Sequence, residues 1–202
     1  QILHERLISG MCGTIGVSRL MAVVTTAAAF ISAVQGFSYL YSRKKIDFYM
    51  GMPIKRKRRF LNIWLNGILL YVIPYLTGLL ICILIAAQNN AVDKTVIYEA
   101  AKALYTNLLF YLCIYHMAVL AVMLTGNIII TGFGFLVFCL YEYVVRIVVI
   151  GYKDLFFRYY SSYRMEAEPI LSPFFMYGHP PKLFIFAIVV GILSYICYLK
   201  RP

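Results

Sequence analysis

Apolar runs of sixteen to twenty-eight residues, separated by short polar breaks, constrain this chain more than any other feature. They cover Ser18–Leu40, Phe60–Ala87, Ala101–Leu124, Ile128–Ile150 and Phe184–Leu199. A helix needs ~20 apolar residues to cross a hydrocarbon core ~30 Å thick. A helix also satisfies its own backbone polar groups, which lipid cannot do. Hydrophobic residues make up 62% of the chain and charged residues 13%, far from the globular average. The runs predict an all-α polytopic membrane protein, a single transmembrane domain over 1–202 with five spans.

The break between the first two runs fixes the orientation. Tyr41–Leu61 reads YSRKKIDFYMGMPIKRKRRFL and holds eight cations, from Arg43 to Arg59, against one acid, Asp47. A short Lys/Arg-rich loop between spans lies on the cytoplasmic side, so 42–59 is a cytoplasmic loop of a multi-pass cell-membrane protein. Lys200 and Arg201 then fall on the same side, while the other breaks are mixed in sign. Arg19, Lys102 and Lys182 fall at the outer ends of spans, where such side chains can snorkel. The net charge of +11 sits mostly in this loop. It faces anionic lipid headgroups, at ~1 kcal/mol per cation, rather than nucleic acid. The middle of the loop, Ile46–Pro53, is apolar and aromatic apart from Asp47. Anchoring alone needs only the basic ends, so the apolar centre reads as a surface that meets another protein.

Several polar residues fall inside the spans. The first is rich in Ala, Ser, Thr and Gly around VVTTAAAFISAVQG, which suits close approach between membrane helices. Gln35 is expected to hydrogen-bond another helix, with a place in a transport path as the alternative. In the second span Pro74 removes a backbone donor and should kink the helix, and Asn62 and Asn66 share one face as candidates for interhelical hydrogen bonds. His116 in the third span reads either as a neutral histidine bonded within the bundle or as a proton relay, because intramembrane ionisable residues are functional candidates. Glu142 and Arg146 are four apart in the fourth span and can pair, as a structural pair or as a polar contact at the outer gate. Thr125-Gly126-Asn127 reads as a tight turn. Gly151–Pro181 is an outer loop dense in Phe and Tyr, split by Pro169 and Pro173 into two short interfacial pieces.

The chemistry that the chain lacks narrows the function. It has no G-x-x-x-x-G-K-[ST] element to cradle phosphates, no H-E-x-x-H and no G-x-S-x-G, and its acids are too scattered for an acid–base pair. Four of the five cysteines lie within the runs and only Cys12 lies outside them, which argues against a disulfide framework. Cys113 and His116 share a helix face, but two ligands do not make a metal site. The residues therefore predict a non-catalytic chain with no metal and no cofactor of its own. Gln1 stands where an initiator Met would, and Pro202 follows a span directly, so both ends read as cut.

The segment YSRKKIDFYMGMPIKRKRRFLNIWLNG resembles the first cytoplasmic loop of type-2 ATP-binding-cassette permeases, in a form similar to those of Gram-positive, Clostridia-type bacteria. Pro53-Ile54-Lys55-Arg56 matches that family's P-[IVL]-[KS]-R element. The resemblance implies a permease subunit of an ATP-driven exporter. It implies that Lys45–Met52 is the coupling helix docking on a separate ATPase subunit, which carries the ATP and Mg. Lys45, Ile46, Asp47, Phe48, Tyr49, Met50, Met52 and Pro53 then make the contact. It implies a second permease subunit, as a homo- or heterodimer. It also implies six spans, the first lying upstream of Gln1, with a re-entrant helical hairpin at Gly151–Pro181. The competing reading is a membrane sensor or immunity protein that binds an antimicrobial ligand without an ATPase.

Overall fold

The computed structural model describes residues 19–88, 94–156 and 180–200. These form six α-helices and one 3-10 turn, with no strand among the described residues. The helices are α1 (Arg19–Gly36), α2 (Arg43–Gly51), α3 (Arg56–Gln88), α4 (Lys94–Leu124), α5 (Ile128–Phe156) and α6 (Pro180–Lys200), and the 3-10 turn is Ser38–Tyr41. The helices α3, α4 and α6 are long and apolar enough to cross a membrane. A fourth span is α5 if its two halves, Ile128–Tyr141 and Tyr143–Lys153, count as one across a 52° bend. The apolar part of α1, Leu20–Gly36, is shorter.

Observed boundaries differ from the hydropathy boundaries for one reason: hydropathy marks the edge of the hydrocarbon, not the end of the helix. The helix α4 begins at Lys94 rather than Ala101. Its first turns are polar and carry an i,i+3 pair, Glu99 to Lys102 at 3.7 Å, of the kind that supports exposed helix. The cations Arg56–Arg59 likewise belong to α3, since Arg and Lys are good helix formers. Gly151 falls inside α5, which continues to Phe156. The expected re-entrant hairpin falls mostly on 157–179, outside the described residues. The helix α3 runs unbroken past Pro74.

The core is α4. From Phe110 to Met123 every side chain but Leu112 is buried. It packs most closely against α6 and α1 and then against α5, while α3 lies on the outside against α1 and α6. The expectation that α1 sits in a bundle is met. Ala22, Thr25, Ala29, Ser32 and Ala33 share its buried face, and side chains this small let backbones approach closely. The outward faces are the reverse of a water-soluble protein. Leu65, Leu69, Ile73, Leu76 and Leu80 of α3, Phe133 and Val137 of α5, and Ile185 and Val189 of α6 are all exposed. Contiguous apolar surface on this scale is foreign to soluble monomers and ordinary against lipid tails.

One end of the bundle gathers the basic residues. Phe37, just after α1, lies 5.7 Å from Phe60 of α3. Phe60 in turn lies 5.0 Å from Tyr198 of α6, and the Tyr39 and Tyr198 hydroxyls share a hydrogen bond of 3.1 Å. The Tyr41 hydroxyl bonds Thr131 of α5 at 2.8 Å. The turn at Thr125–Asn127 is present as expected. Asn127 caps α5 by accepting the Ile129 N–H at 3.0 Å, which satisfies one of the orphan donors at a helix start. Arg43–Lys45, Lys55–Arg59 and Lys200 therefore all lie at this end.

Candidate functional site

The basic loop folds as a discrete short helix. Ser42 precedes α2 in an extended conformation, and the Ile46 N–H donates to its carbonyl at 2.9 Å. The helix stops because Pro53 biases the residue before it towards extended backbone, and Met52 sits at φ −70°, ψ 140°. A bend over 52–55 then leads into α3. Arg59, 6% exposed, donates from its guanidinium to the Ile54 carbonyl at 3.5 Å, which holds the bend against the start of α3.

Along α2 the residues expected to contact a partner divide into two sets. Ile46 and Tyr49, three apart, are half-buried, as is Met52. Tyr49 rests on Tyr39 with centroids 4.7 Å apart. This contact, with Tyr49 packed against the core, holds α2 to the bundle. Lys45, Asp47, Phe48 and Pro53 face outward. Phe48 is 65% exposed and stands edge-on to Tyr49 at 88°. An outward phenyl ring is apolar surface that gains nothing in water. The Met50 side chain lies outside the described residues.

Tyr39, Phe37, Phe60, Tyr195 and Tyr198 were not singled out from the sequence, yet they connect α2 to the spans. Phe60 touches both Tyr195, at 5.3 Å, and Tyr198. Contacts thus run from Tyr49 through Tyr39 to Tyr198 of α6, and from there through Phe60 of α3 to Phe37 at the end of α1. The available signal was the run of aromatics at the span ends that flank the loop.

His116 lies deeper in the bundle. The Trp64 indole N–H donates to its Nε2 at 2.8 Å, with the two rings within 5° of coplanar. Its ring lies so close over Gly191 that a Cβ there would come 2.9 Å from Cε1. This is the bundle-bonded histidine of the sequence analysis, fixed between α3, α4 and α6. Trp64→Phe keeps the ring but strands Nε2 without its donor. An unsatisfied buried acceptor costs ~1–3 kcal/mol, so thermal unfolding in detergent is expected at a clearly lower temperature. Trp64→Phe combined with His116→Leu should recover part of the loss. An unchanged transition in the single variant would remove the bond from the stability argument.

The remaining expected residues are placed as follows. Cys113 and Cys139 are buried, and no group of three metal ligands occurs among the described residues. Arg146 lies on the second half of α5, and the expected pair falls outside the described residues with the side chain of Glu142. Among the described residues the side chains of Gln35, Asn62 and Asn66 form no hydrogen bond. All three side chains are exposed. A ladder of tyrosines instead joins α1, α3 and α4. Tyr71 stacks on Tyr111 at 4.0 Å and 4°, and Tyr111 donates to the Gly67 carbonyl at 2.6 Å. Tyr71 also shares a hydrogen bond with Thr25 at 2.9 Å.

Searches against protein-family models, curated proteins and solved structures return no match to this chain.

Proposed function

We propose that this chain is the membrane-embedded permease subunit of an ATP-binding-cassette exporter, with α2 as the helix through which a separate ATPase subunit acts. The observation that carries the reading is α2 itself: a separate nine-residue helix at the basic end of a helical bundle, bounded by Met52-Pro53, holding an exposed phenyl ring outward. The basic end is cytoplasmic by the positive-inside rule, where ATP is available. The partner binds and hydrolyses ATP with Mg. The chain performs no catalysis and presents Lys45, Asp47, Phe48 and Pro53, backed by Ile46, Tyr49 and Met52. Movement of the ATPase pushes α2, the aromatic cluster passes the push to α1, α3 and α6, and the bundle rocks as a rigid body between two states.

In this reading α1 with its 3-10 turn is a span, α5 is one bent span, and 157–179 holds the outer aromatic loop. The five spans correspond to the second to sixth of six in the cell membrane. A second permease subunit, identical or related, completes the path.

The test is purification of the full-length protein from its native host membrane with mass spectrometry of what accompanies it, alongside a form lacking Ile46–Pro53. An ATPase that co-purifies with the first and not the second is the expected result. An ATPase absent from both samples would overturn the reading and favour a sensor that works alone.

A further inference from the structure

The outward side of α1 and α3 carries a groove of two connected stretches, about 280 Å³ and 380 Å³, which share Ser32 and Leu70. Their combined size is that of a small-molecule site. The stretch nearer the basic end is the more polar of the two, bordered by Gln35, Asn66 and the small residues Gly36 and Gly67 as well as Ile63. The other is apolar, walled by Met21, Val24, Ile31 and Pro74.

The polar stretch lies at the edge of the apolar segment. Asn66 is seven residues past Arg59 along α3, ~10 Å of helix rise, and the 33 residues of α3 exceed a hydrocarbon core of ~30 Å by about 10 Å at each end, so Asn66 falls at the hydrocarbon edge. Gln35 and Asn66 each offer a carboxamide with two donors and an acceptor, and neither has a partner among the described residues. A third feature points the same way. Pro74 has no N–H, so it withdraws the donor that the Leu70 carbonyl would receive from the residue four ahead. Leu70 borders both stretches. Unsatisfied polar groups are costly in lipid, and here an amide pair and a carbonyl short of its donor border one cleft. No Asp, Glu, Lys, Arg or His lines either stretch, so the cleft has nothing to neutralise a charged headgroup.

We propose that this groove binds a single-chain membrane amphiphile with an uncharged, hydrogen-bonding head, of the monoacylglycerol type. The head lies between Gln35 and Asn66, and its hydroxyls donate to the carboxamide oxygens and accept from their N–H groups. The chain lies along Ile31, Leu70 and Pro74, ~14 Å of α3 between Asn66 and Tyr75. The site needs only the groove and the bilayer, so it stands whether or not an ATPase acts on the protein.

The experiment uses the full-length protein in lipid nanodiscs and two photoactivatable probes of equal chain length, a monoacylglycerol and a fatty acid. The expected result is monoacylglycerol labelling mapped to the facing segments of α1 and α3. It falls at least about fivefold in Gln35→Leu/Asn66→Leu, the loss expected from about one net hydrogen bond, and the fatty acid labels weakly. Both replaced side chains are exposed, so the fold should persist. Leu70→Trp, which fills the junction of the two stretches, provides an independent block and should lower labelling as well. Equal labelling by both probes, or labelling unmoved by both variants, would reduce the groove to bulk lipid contact and overturn the proposal. Oxidative cross-linking of Asn66→Cys between two copies would overturn it too, by showing the groove covered by a second chain.

Discussion

Replacing Phe48 and Tyr49 together by alanine is expected to abolish coupled transport while the ATPase keeps its basal turnover. The two side chains fail in different ways. Phe48 is the exposed ring, and buried aromatic anchors at interfaces cost ~2 kcal/mol or more on truncation, about thirtyfold in affinity. Phe48→Ala alone should therefore weaken ATPase binding. Tyr49 faces the bundle against Tyr39, so Tyr49→Ala should leave binding nearly intact and still reduce transport, because the proposed push of α2 on the bundle would lose this contact. Binding to the isolated ATPase and transport into vesicles separate the two. Unchanged transport and ATPase stimulation in the double variant would sink the assignment of α2.

Gly67 is the position at which a single added carbon should cost most. A Cβ there would overlap the Tyr115 hydroxyl and lie 2.6 Å from its Cζ, and Tyr115 is fully buried. The backbone carbonyl of the same glycine accepts the Tyr111 hydroxyl, so α3 cannot back away without losing that bond. Overpacking of this kind costs ~1–3 kcal/mol, against a helix-propensity gain of ~1 kcal/mol for Gly→Ala. Gly67→Ala should lower the unfolding temperature, and Gly67→Leu should prevent recovery of folded protein. Tyr115→Phe removes a buried hydroxyl with no hydrogen-bond partner, so alone it should be neutral or stabilising. Combined with Gly67→Ala it should return part of the loss. A fully additive double variant in thermal unfolding would show that the hydroxyl contact is not the cause.

The candidate site was legible as a segment and not as a surface. The basic ends, the apolar centre and Pro53 marked a separate element between two apolar runs. They did not divide Tyr49, which packs on Tyr39, from Phe48, which faces away, because that depends on where Tyr39 lies. His116 was flagged, but its partner Trp64 is fifty-two residues away on another helix, and no local spacing reveals such a pair. Gln35, Asn62 and Asn66 were expected to bond within the bundle, and the structure turns all three outward. Composition places an amide in a span without saying which side of the helix meets protein.

Hydropathy alone determined that the chain is a helical membrane protein with its cations gathered at one end, because crossing lipid requires long apolar helices and charge asymmetry sets their direction. Only the tertiary structure decided that α4 is the core and α3 the rim. Both helices are apolar on every side, and lipid tails are as apolar as a protein interior. The contrast between inner and outer faces that reveals burial in a soluble helix is therefore nearly absent, and small residues and tyrosine hydrogen bonds choose the neighbours instead.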